Sequence, residues 1–339
     1  MTSSLQGRSN GPGVLPWLSL VTVWILWGST YLNIRIAVES IPPLLMAGSR
    51  YLLAGVLLAA ILLVTQRKRL GALGTSDFKY IVISALLLPA IGNGSLTFSE
   101  RTLPSGTASL IVACVPIWVL VVEALHGQRI RARALGGIAL GMVGLLLLVG
   151  SQSHPVPLLP ASIVAGGAFS WALGSVIMRR RNGSQRNPIV PALEMIVAGL
   201  VLLVAGLATR ELPAIHPDRI TAPAIGGFTW LVVMGSIVAY TAYGYAVRTL
   251  PTSAVATYAY VNPIVAVALG TTLLKEPLTP NVLGGGAVII LSVVMTLLWG
   301  SEPGQGSQCV QAGSPSGASS TGASLDGVQS CRTKPSCAR

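Results

Sequence analysis

A few polar and aromatic side chains stand inside otherwise apolar runs, and their types suit recognition of a small polar molecule. Asn262, within Tyr258-Ala259-Tyr260-Val261-Asn262-Pro263, offers two donors and one acceptor through its carboxamide. Its plainer role is a hydrogen bond between helices, worth about 0.6–2 kcal/mol. Asn93, Ser95 and Thr97 form a second polar set in a different run. Trp27, Ser29, Trp171, Tyr243 and Tyr258 add aromatic faces and a hydroxyl, although a single Trp or Tyr is equally at home at a membrane interface. The candidate binding set is therefore Trp27, Ser29, Asn93, Thr97, Trp171, Tyr243, Tyr258 and Asn262.

Glu194 is the acid best placed to be buried, about one turn into its apolar run. A charge near the bilayer centre costs about 2.5–3.5 kcal/mol on insertion scales, so a retained one suggests a task. Glu194 is the candidate coupling site for protons, while its shallow depth also allows contact with interfacial water. Pro116 and Pro263 lack an N–H and press on the carbonyl four residues back, freeing those of Val112 and Ala259. They are hinge candidates facing protein or a wet cavity, and a simple kink is the alternative. Arg35 and Arg50, near the ends of their runs, are read as snorkelling to the interface. Glu123 is read as a partner for Arg129.

Other chemistries find no support. There is no HExxH, Walker A or GxSxG pattern, so no metalloprotease, nucleotide-driven or esterase chemistry is indicated. His126, His154 and His216 all fall in connections, and no Cys/His spacing fits a metal. No cofactor is expected. Cys114 lies in an apolar run and Cys309, Cys331 and Cys337 near the C-terminus, which makes no disulfide framework. Without an ATP motif, any energy must come from gradients.

These residues must be positioned by membrane helices. The chain is 52% hydrophobic and only 9% charged, whereas a soluble domain carries about a quarter of its residues as charges. Its net charge of +12 is scattered through short connections, which reads as topology and not as a nucleic-acid surface. Ten stretches approach the roughly 20 residues needed to span: Val14–Ile36, Leu44–Val64, Phe78–Phe98, Ser105–Leu125, Ala134–Gly150, Pro160–Met178, Ile189–Thr209, Ala224–Val247, Thr252–Leu274 and Val282–Trp299. Val14–Ile34 is too long for the core of a signal peptide and lacks a small-residue cleavage pattern, so it is expected to stay as the first span.

Basic residues crowd the even connections: Arg67, Lys68, Arg69 and Lys79, then Arg129, Arg131 and Arg133, then Arg179 to Arg181 with Arg186, then Arg248. In the odd connections Arg101, Arg210, Arg219 and Lys275 are each accompanied by an acid, Glu100, Glu211, Asp218 and Glu276. The positive-inside rule then puts both termini in the cytoplasm, where the tail thiols should be reduced.

The chain also repeats itself. Arg101-Thr102-Leu103-Pro104 returns as Arg248-Thr249-Leu250-Pro251, and Pro116 returns as Pro263, both 147 residues on. Five spans per copy means that the second enters the membrane upside down, the inverted-repeat arrangement of transporters with a midplane site. The expected organisation is a disordered tail over 1–13, a first repeat over 14–150, a second over 151–300 and a disordered Gly/Ser-rich tail over 301–339. Gly137 with Gly141 and the run Gly284-Gly285-Gly286 allow close helix contact, either between the halves or between protomers of a homodimer.

Trp27-Gly28-Ser29-Thr30-Tyr31, Pro42-Pro43 with Arg50, Gly92-Asn93-Gly94, Pro104-Ser105-Gly106, Ser170-Trp171 to Gly174-Ser175 and Tyr258 to Pro263 resemble the EamA family of the drug/metabolite transporter superfamily. The resemblance is closest to its YedA-type bacterial inner-membrane members and covers Val14 to Trp299. It implies an all-α polytopic protein of ten helices in two inverted five-helix repeats. It also implies a cavity lined by the third, fourth, eighth and ninth spans with the first and sixth. The function implied is secondary transport of amino acids or related small metabolites across the plasma membrane, with export as the expected direction. One departure is Gly127-Gln128-Arg129, where the family usually carries a Gly-Glu pair, while Lys275-Glu276-Pro277 keeps it. The rival classes are a membrane sensor or scaffold, which needs a structured output domain, and an intramembrane enzyme, which needs an acid and a His, or a metal cluster, at one depth.

Overall fold

The structure, a computed structural model, describes residues 13–70, 73–103, 105–127, 132–149, 157–180, 187–273 and 280–299. The two expected tails, Gly13 apart, lie outside the described residues, as do Gln128, Arg129 and Lys275-Glu276-Pro277. Among the described residues every regular element is a helix. That follows from composition, because an apolar run in lipid must satisfy its own backbone hydrogen bonds. Large apolar side chains such as Leu18, Ile25, Ile61, Leu200 and Val204 lie exposed on the outside, which suits hydrocarbon and not water.

Six helical runs are long and apolar enough to cross a membrane. They are α1 (Val14–Val38), α2 (Pro43–Thr65), the run Thr75–Ser99, α8 (Leu158–Arg180), α9 (Val190–Ala208) and the run Ala222–Thr249. Two of them are not uniform. The third comprises α3 (Thr75–Ala85), a π-helical stretch over Leu86–Asn93 and α4 (Gly94–Ser99). The run from Ala222 comprises α10 (Ala222–Trp230), a π-helical stretch over Leu231–Val238 and α11 (Ala239–Thr249). Pro89 lies inside the first π stretch. A proline deprives the carbonyl four residues back of its donor, and the wider π turn lets later donors serve the freed carbonyls.

The expected fourth span is two helices, α5 (Ser105–Val112) and α6 (Val115–Leu125), parted at Ala113-Cys114. Pro116 stands in the first turn of α6, where a missing N–H has no cost. The ninth is likewise α12 (Thr252–Ala256) and α13 (Tyr258–Leu273). Here the structure differs from the sequence expectation: the interruption falls at Thr257, whose hydroxyl donates to the Ala254 carbonyl at 2.6 Å. Pro263 sits within the continuous α13. Two further helices are α7 (Ala132–Val149) and α14 (Pro280–Trp299).

Packing pairs the elements reciprocally. α2 lies along α9 and α7 along α14. α1 packs on α11 and α13, while α8 packs on the first π stretch and α6. Close approach of α2 and α9 depends on Gly55 and Gly199. A Cβ at Gly55 would lie 2.8 Å from the Ala192 carbonyl oxygen, and one at Gly199 would fall onto the Leu52 backbone. Without a hydrophobic drive between helices in lipid, such backbone proximity is what holds the pair. Gly137 and Gly141 pack α7 against α14 of the same chain, where the Ser292 hydroxyl donates to the Gly137 carbonyl at 2.6 Å.

The start of α2 has no side-chain cap of its own. Its Leu44 and Leu45 amides donate to Oε2 of Glu211, at 2.9 and 3.0 Å, from the far end of α9. Arg210, at φ 58°, turns the chain left-handed to end α9 and deliver that carboxylate. Burial pushes the Glu211 carboxyl above its usual range, and those two amides pull it back. A negative group suits a helix N-terminus.

Candidate functional site

A cavity of about 520 Å³, its open mouth included, lies between helices of both halves. α1 contributes Trp27 and Tyr31, the first π stretch Asn93, α8 Trp171, and α13 Tyr258 and Asn262. Three rings of its wall, Trp27, Trp171 and Tyr258, form one cluster with Tyr243. Trp27 meets Trp171 and Tyr258 edge to face, at 5.3 and 5.1 Å between centroids, and Tyr243 at a tilt, at 4.8 Å. Tyr243 and Tyr258 meet at 5.7 Å. Edge-to-face geometry of this kind adds about 0.5–1.5 kcal/mol per pair beyond burial.

Hydrogen bonds fix the rings. The Trp27 indole donates to the Gly235 carbonyl at 3.1 Å, so the second π stretch pins α1. The Trp171 indole donates to the Tyr243 hydroxyl at 3.2 Å, and Ser175 pairs with that same hydroxyl. On the other side the Ser170 hydroxyl donates to the Leu87 carbonyl at 2.8 Å, within the first π stretch. Each π stretch thus presents a carbonyl to a side chain from the helix packed on it. Asn262, oriented so that its amide nitrogen donates to the Trp24 and Tyr258 carbonyls at 3.2 and 3.0 Å, lies beside the Tyr31 hydroxyl.

Of the sequence-derived set, Trp27, Asn93, Trp171, Tyr258 and Asn262 line the cavity. Tyr243 instead lines a neighbouring space of about 280 Å³, which shares Tyr258 and Val115 with the first. Thr97 is buried beneath Asn93 and donates to its Oδ1 at 3.4 Å, a positioning contact. Ser29 donates to the Leu26 carbonyl and accepts from the Trp230 indole at 2.9 Å, tying α1 to the run from Ala222. Pro116 and Pro263 are not among the lining residues, although their neighbours Val115 and Asn262 are. The eighth span reaches only the smaller space, and α2 enters the main wall through Tyr51.

Glu194 is 2% exposed and lies apart from the cavity. Its Oε1 accepts from the Ser84 hydroxyl and its Oε2 from the Tyr240 hydroxyl at 3.0 Å. Arg248 is the cation within electrostatic reach, and Tyr240 in turn lies near Tyr51 and Tyr243. Tyr240 is thus bonded to Glu194 and lies within electrostatic reach of Tyr51, a residue of the cavity wall.

Sequence reasoning missed Thr30, Tyr31 and Tyr51, all of which line the cavity. It also placed Arg50 wrongly. Arg50 does not snorkel: it is 1% exposed, its Nε donates to Ser236 Oγ at 2.8 Å, and its guanidinium carbon lies 4.9 Å from the Tyr51 ring centroid. A Cβ at Gly235 would stand 2.9 Å from the Thr30 methyl and 3.1 Å from Nη2 of Arg50, so a side chain there would crowd both. Arg35 is exposed, and its Nη1 donates to the Glu100 carbonyl at 2.7 Å. Glu100, read as an acid of a connection, is fully buried. Depth along a run was visible in the sequence, but the face on which a side chain stands was not.

The sequence profile of the EamA-like transporter family matches residues 15–150 and 158–298. The chain is 39% identical over 285 residues to the "Uncharacterized inner membrane transporter YedA" of Escherichia coli (strain K12), covering 83% of this chain and 90% of that one. It is 28% identical over 293 residues to a "Probable amino-acid metabolite efflux pump" of the same strain, covering 81% and 91%. A solved crystal structure 18% identical in sequence superimposes with a TM-score of 0.68 over 84% of this chain and 96% of that one, which shows a shared fold. With both halves of the chain matched and a relative at 39% identity along most of its length, this membrane protein belongs to the EamA-like transporter family of the drug/metabolite transporter superfamily.

Proposed function

We propose that this protein is a secondary transporter of the inner membrane that exports small metabolites, amino acids or related compounds, by alternating access. Ten spans in two inverted repeats, 14–150 and 151–300, enclose the midplane site, and both termini face the cytoplasm. The observation that carries the reading is the cavity itself. Aromatic faces, two carboxamides and a tyrosine hydroxyl converge there from helices of both halves, as expected of a site at a repeat interface. The reciprocal packing of α1 on α13 and α8 on α6 supports the duplicated arrangement.

Trp27, Trp171 and Tyr258 provide the apolar walls, and Asn93 and Asn262 the orienting hydrogen bonds. Tyr243, Thr97 and Ser29 hold these in place. Glu194 is the proton-coupling acid, linked to the wall through Tyr240. The α5–α6 and α12–α13 interruptions, beside Pro116 and ahead of Pro263, are where the helices bend between the two access states. Export is the expected direction from the efflux pump among the relatives.

Asn262→Ala removes a buried amide that three groups surround. In proteoliposomes, counterflow of a labelled amino-acid mixture should fall about tenfold, the effect of one lost polar contact of roughly 1.4 kcal/mol, with membrane insertion unchanged. Wild-type rates in that variant would reject the site, and absence of counterflow in the wild type would reject transport of this class.

A further inference from the structure

At the end of the cavity marked by Asn93 lies a buried cluster of charges that the transport reading does not use. Arg50 on α2 and Glu100 at the end of α4 are 1% and 0% exposed. Arg35 reaches the same place from α1, and Arg35, Arg50 and Tyr31 all lie within electrostatic reach of the Glu100 carboxylate. Among the described residues, neither of the buried carboxylate oxygens of Glu100 has a hydrogen-bond partner. Two guanidiniums therefore face one carboxylate that neither of them grips. Arg35 is exposed, so the buried excess is the charge of Arg50, which no carboxylate touches directly, and a buried charge without a matched partner is costly.

The contacts of Arg50 show where that excess is available. Nε is well held by Ser236, but Nη1 stands 3.5 Å from Asn93 Oδ1, at the limit of a hydrogen bond. Asn93 Oδ1 is itself held only loosely by Thr97, at 3.4 Å. Asn93 and Tyr51, which both lie against the guanidinium, line the cavity wall. An anionic group arriving beside Asn93 could take Nη1 in a short, charge-assisted bond at the expense of one poor contact.

Resting on the transporter reading, we propose that Arg50 is the specificity-determining residue of this cavity and that it selects substrates carrying a carboxylate. The carboxylate sits at the Asn93 end against Nη1, and the rest of the molecule lies among Trp27, Trp171 and Tyr258. Glu100 is the resident counter-charge that keeps Arg50 oriented and sets how strongly an incoming anion is held. A neutral or cationic compound of the same shape gains nothing from Arg50 and meets its positive charge.

Thermal stabilisation of the purified full-length protein is the test. The probes are amino, aromatic and aliphatic carboxylates, each beside its methyl ester and its decarboxylated analogue. In the wild type, acids should stabilise and their esters and decarboxylated analogues should not, a comparison that needs no variant. In Arg50→Gln, apparent affinity for the acids should fall about ten- to hundredfold, the range for a hydrogen bond to a charged group, with part restored in Arg50→Lys. Glu100→Gln, which removes the competing carboxylate, should tighten binding. Esters or amines that stabilise as well as the acids would overturn the inference while leaving the binding cavity standing. Equal weakening in Arg50→Gln and Glu100→Gln would overturn it as well, pointing to general collapse of the cluster. If no compound stabilises, the cavity as a binding site fails, and the inference with it.

Discussion

Arg50 and Glu194 stand on the packed pair α2 and α9, carry opposite charges and are both buried. Each bridges the same two irregular runs. Arg50 reaches Asn93, which closes the first π stretch, and Ser236 within the second. Glu194 reaches Ser84, just ahead of the first π stretch, and Tyr240, just after the second. Their surroundings differ in chemistry. Both oxygens of Glu194 accept from neutral hydroxyls, which can donate to a carboxylate or accept from a carboxylic acid. That network tolerates a change of charge. Arg50 cannot lose its proton in a protein, and its nearest carboxylate gives it no direct bond. One end of the pair is built to vary its charge, the other to keep a charge that asks for an anion.

Four variants sharpen or break that contrast. Glu194→Ala has the largest expected effect. It leaves the Tyr240 hydroxyl buried without its acceptor, at about 1–3 kcal/mol, while the Ser84 hydroxyl can donate to the Tyr80 carbonyl at 2.8 Å. Glu194→Gln keeps an acceptor, so thermal unfolding in detergent should shift far less, while the response of transport to a pH gradient should disappear. A gradient response intact in Glu194→Gln would remove Glu194 from coupling.

At the Arg50 end the corresponding structural device is Glu211. Glu211→Ala strips the cap from α2 and should cost about 1–2 kcal/mol, as loss of an N-cap does, read by the same unfolding measurement. No loss there would mean that α2 holds its position by packing on α9 alone. Thr97→Val should have the smallest effect on stability, under about 1 kcal/mol, because its bond to Asn93 is long. Its signature should be a weaker apparent affinity for transported compounds, and an unchanged affinity would show that Asn93 needs no support.

Much of this arrangement could be read from residue type and spacing. Asn93, Asn262, Trp27, Trp171 and Tyr258 stood out because a carboxamide or a large ring in an apolar run needs a reason. The duplicated Arg-Thr-Leu-Pro motif located the ends of two runs. What escaped was orientation about the helix axis and pairing across the chain. Arg50 finds Ser236 from 186 positions away, and nothing local to either residue announces that. Tyr31 and Tyr51 resemble interface tyrosines until the face they occupy is known. Pro89 was visible but not read as the seat of a π stretch, and Pro263 suggested a break that the structure places at Thr257. A proline can be absorbed by a wider turn or by a neighbouring interruption, so its position alone does not locate the bend.

The most direct test of a cavity that opens to each side in turn is thiol accessibility at Asn262. Cys114, Cys309, Cys331 and Cys337 would first be replaced by serine, and Asn262→Cys introduced in sealed, oriented vesicles. A membrane-impermeant thiol reagent should label this position from either face, and a saturating transported compound should protect it from both. Labelling from one face only under every condition, or from neither, would contradict alternating access through this cavity.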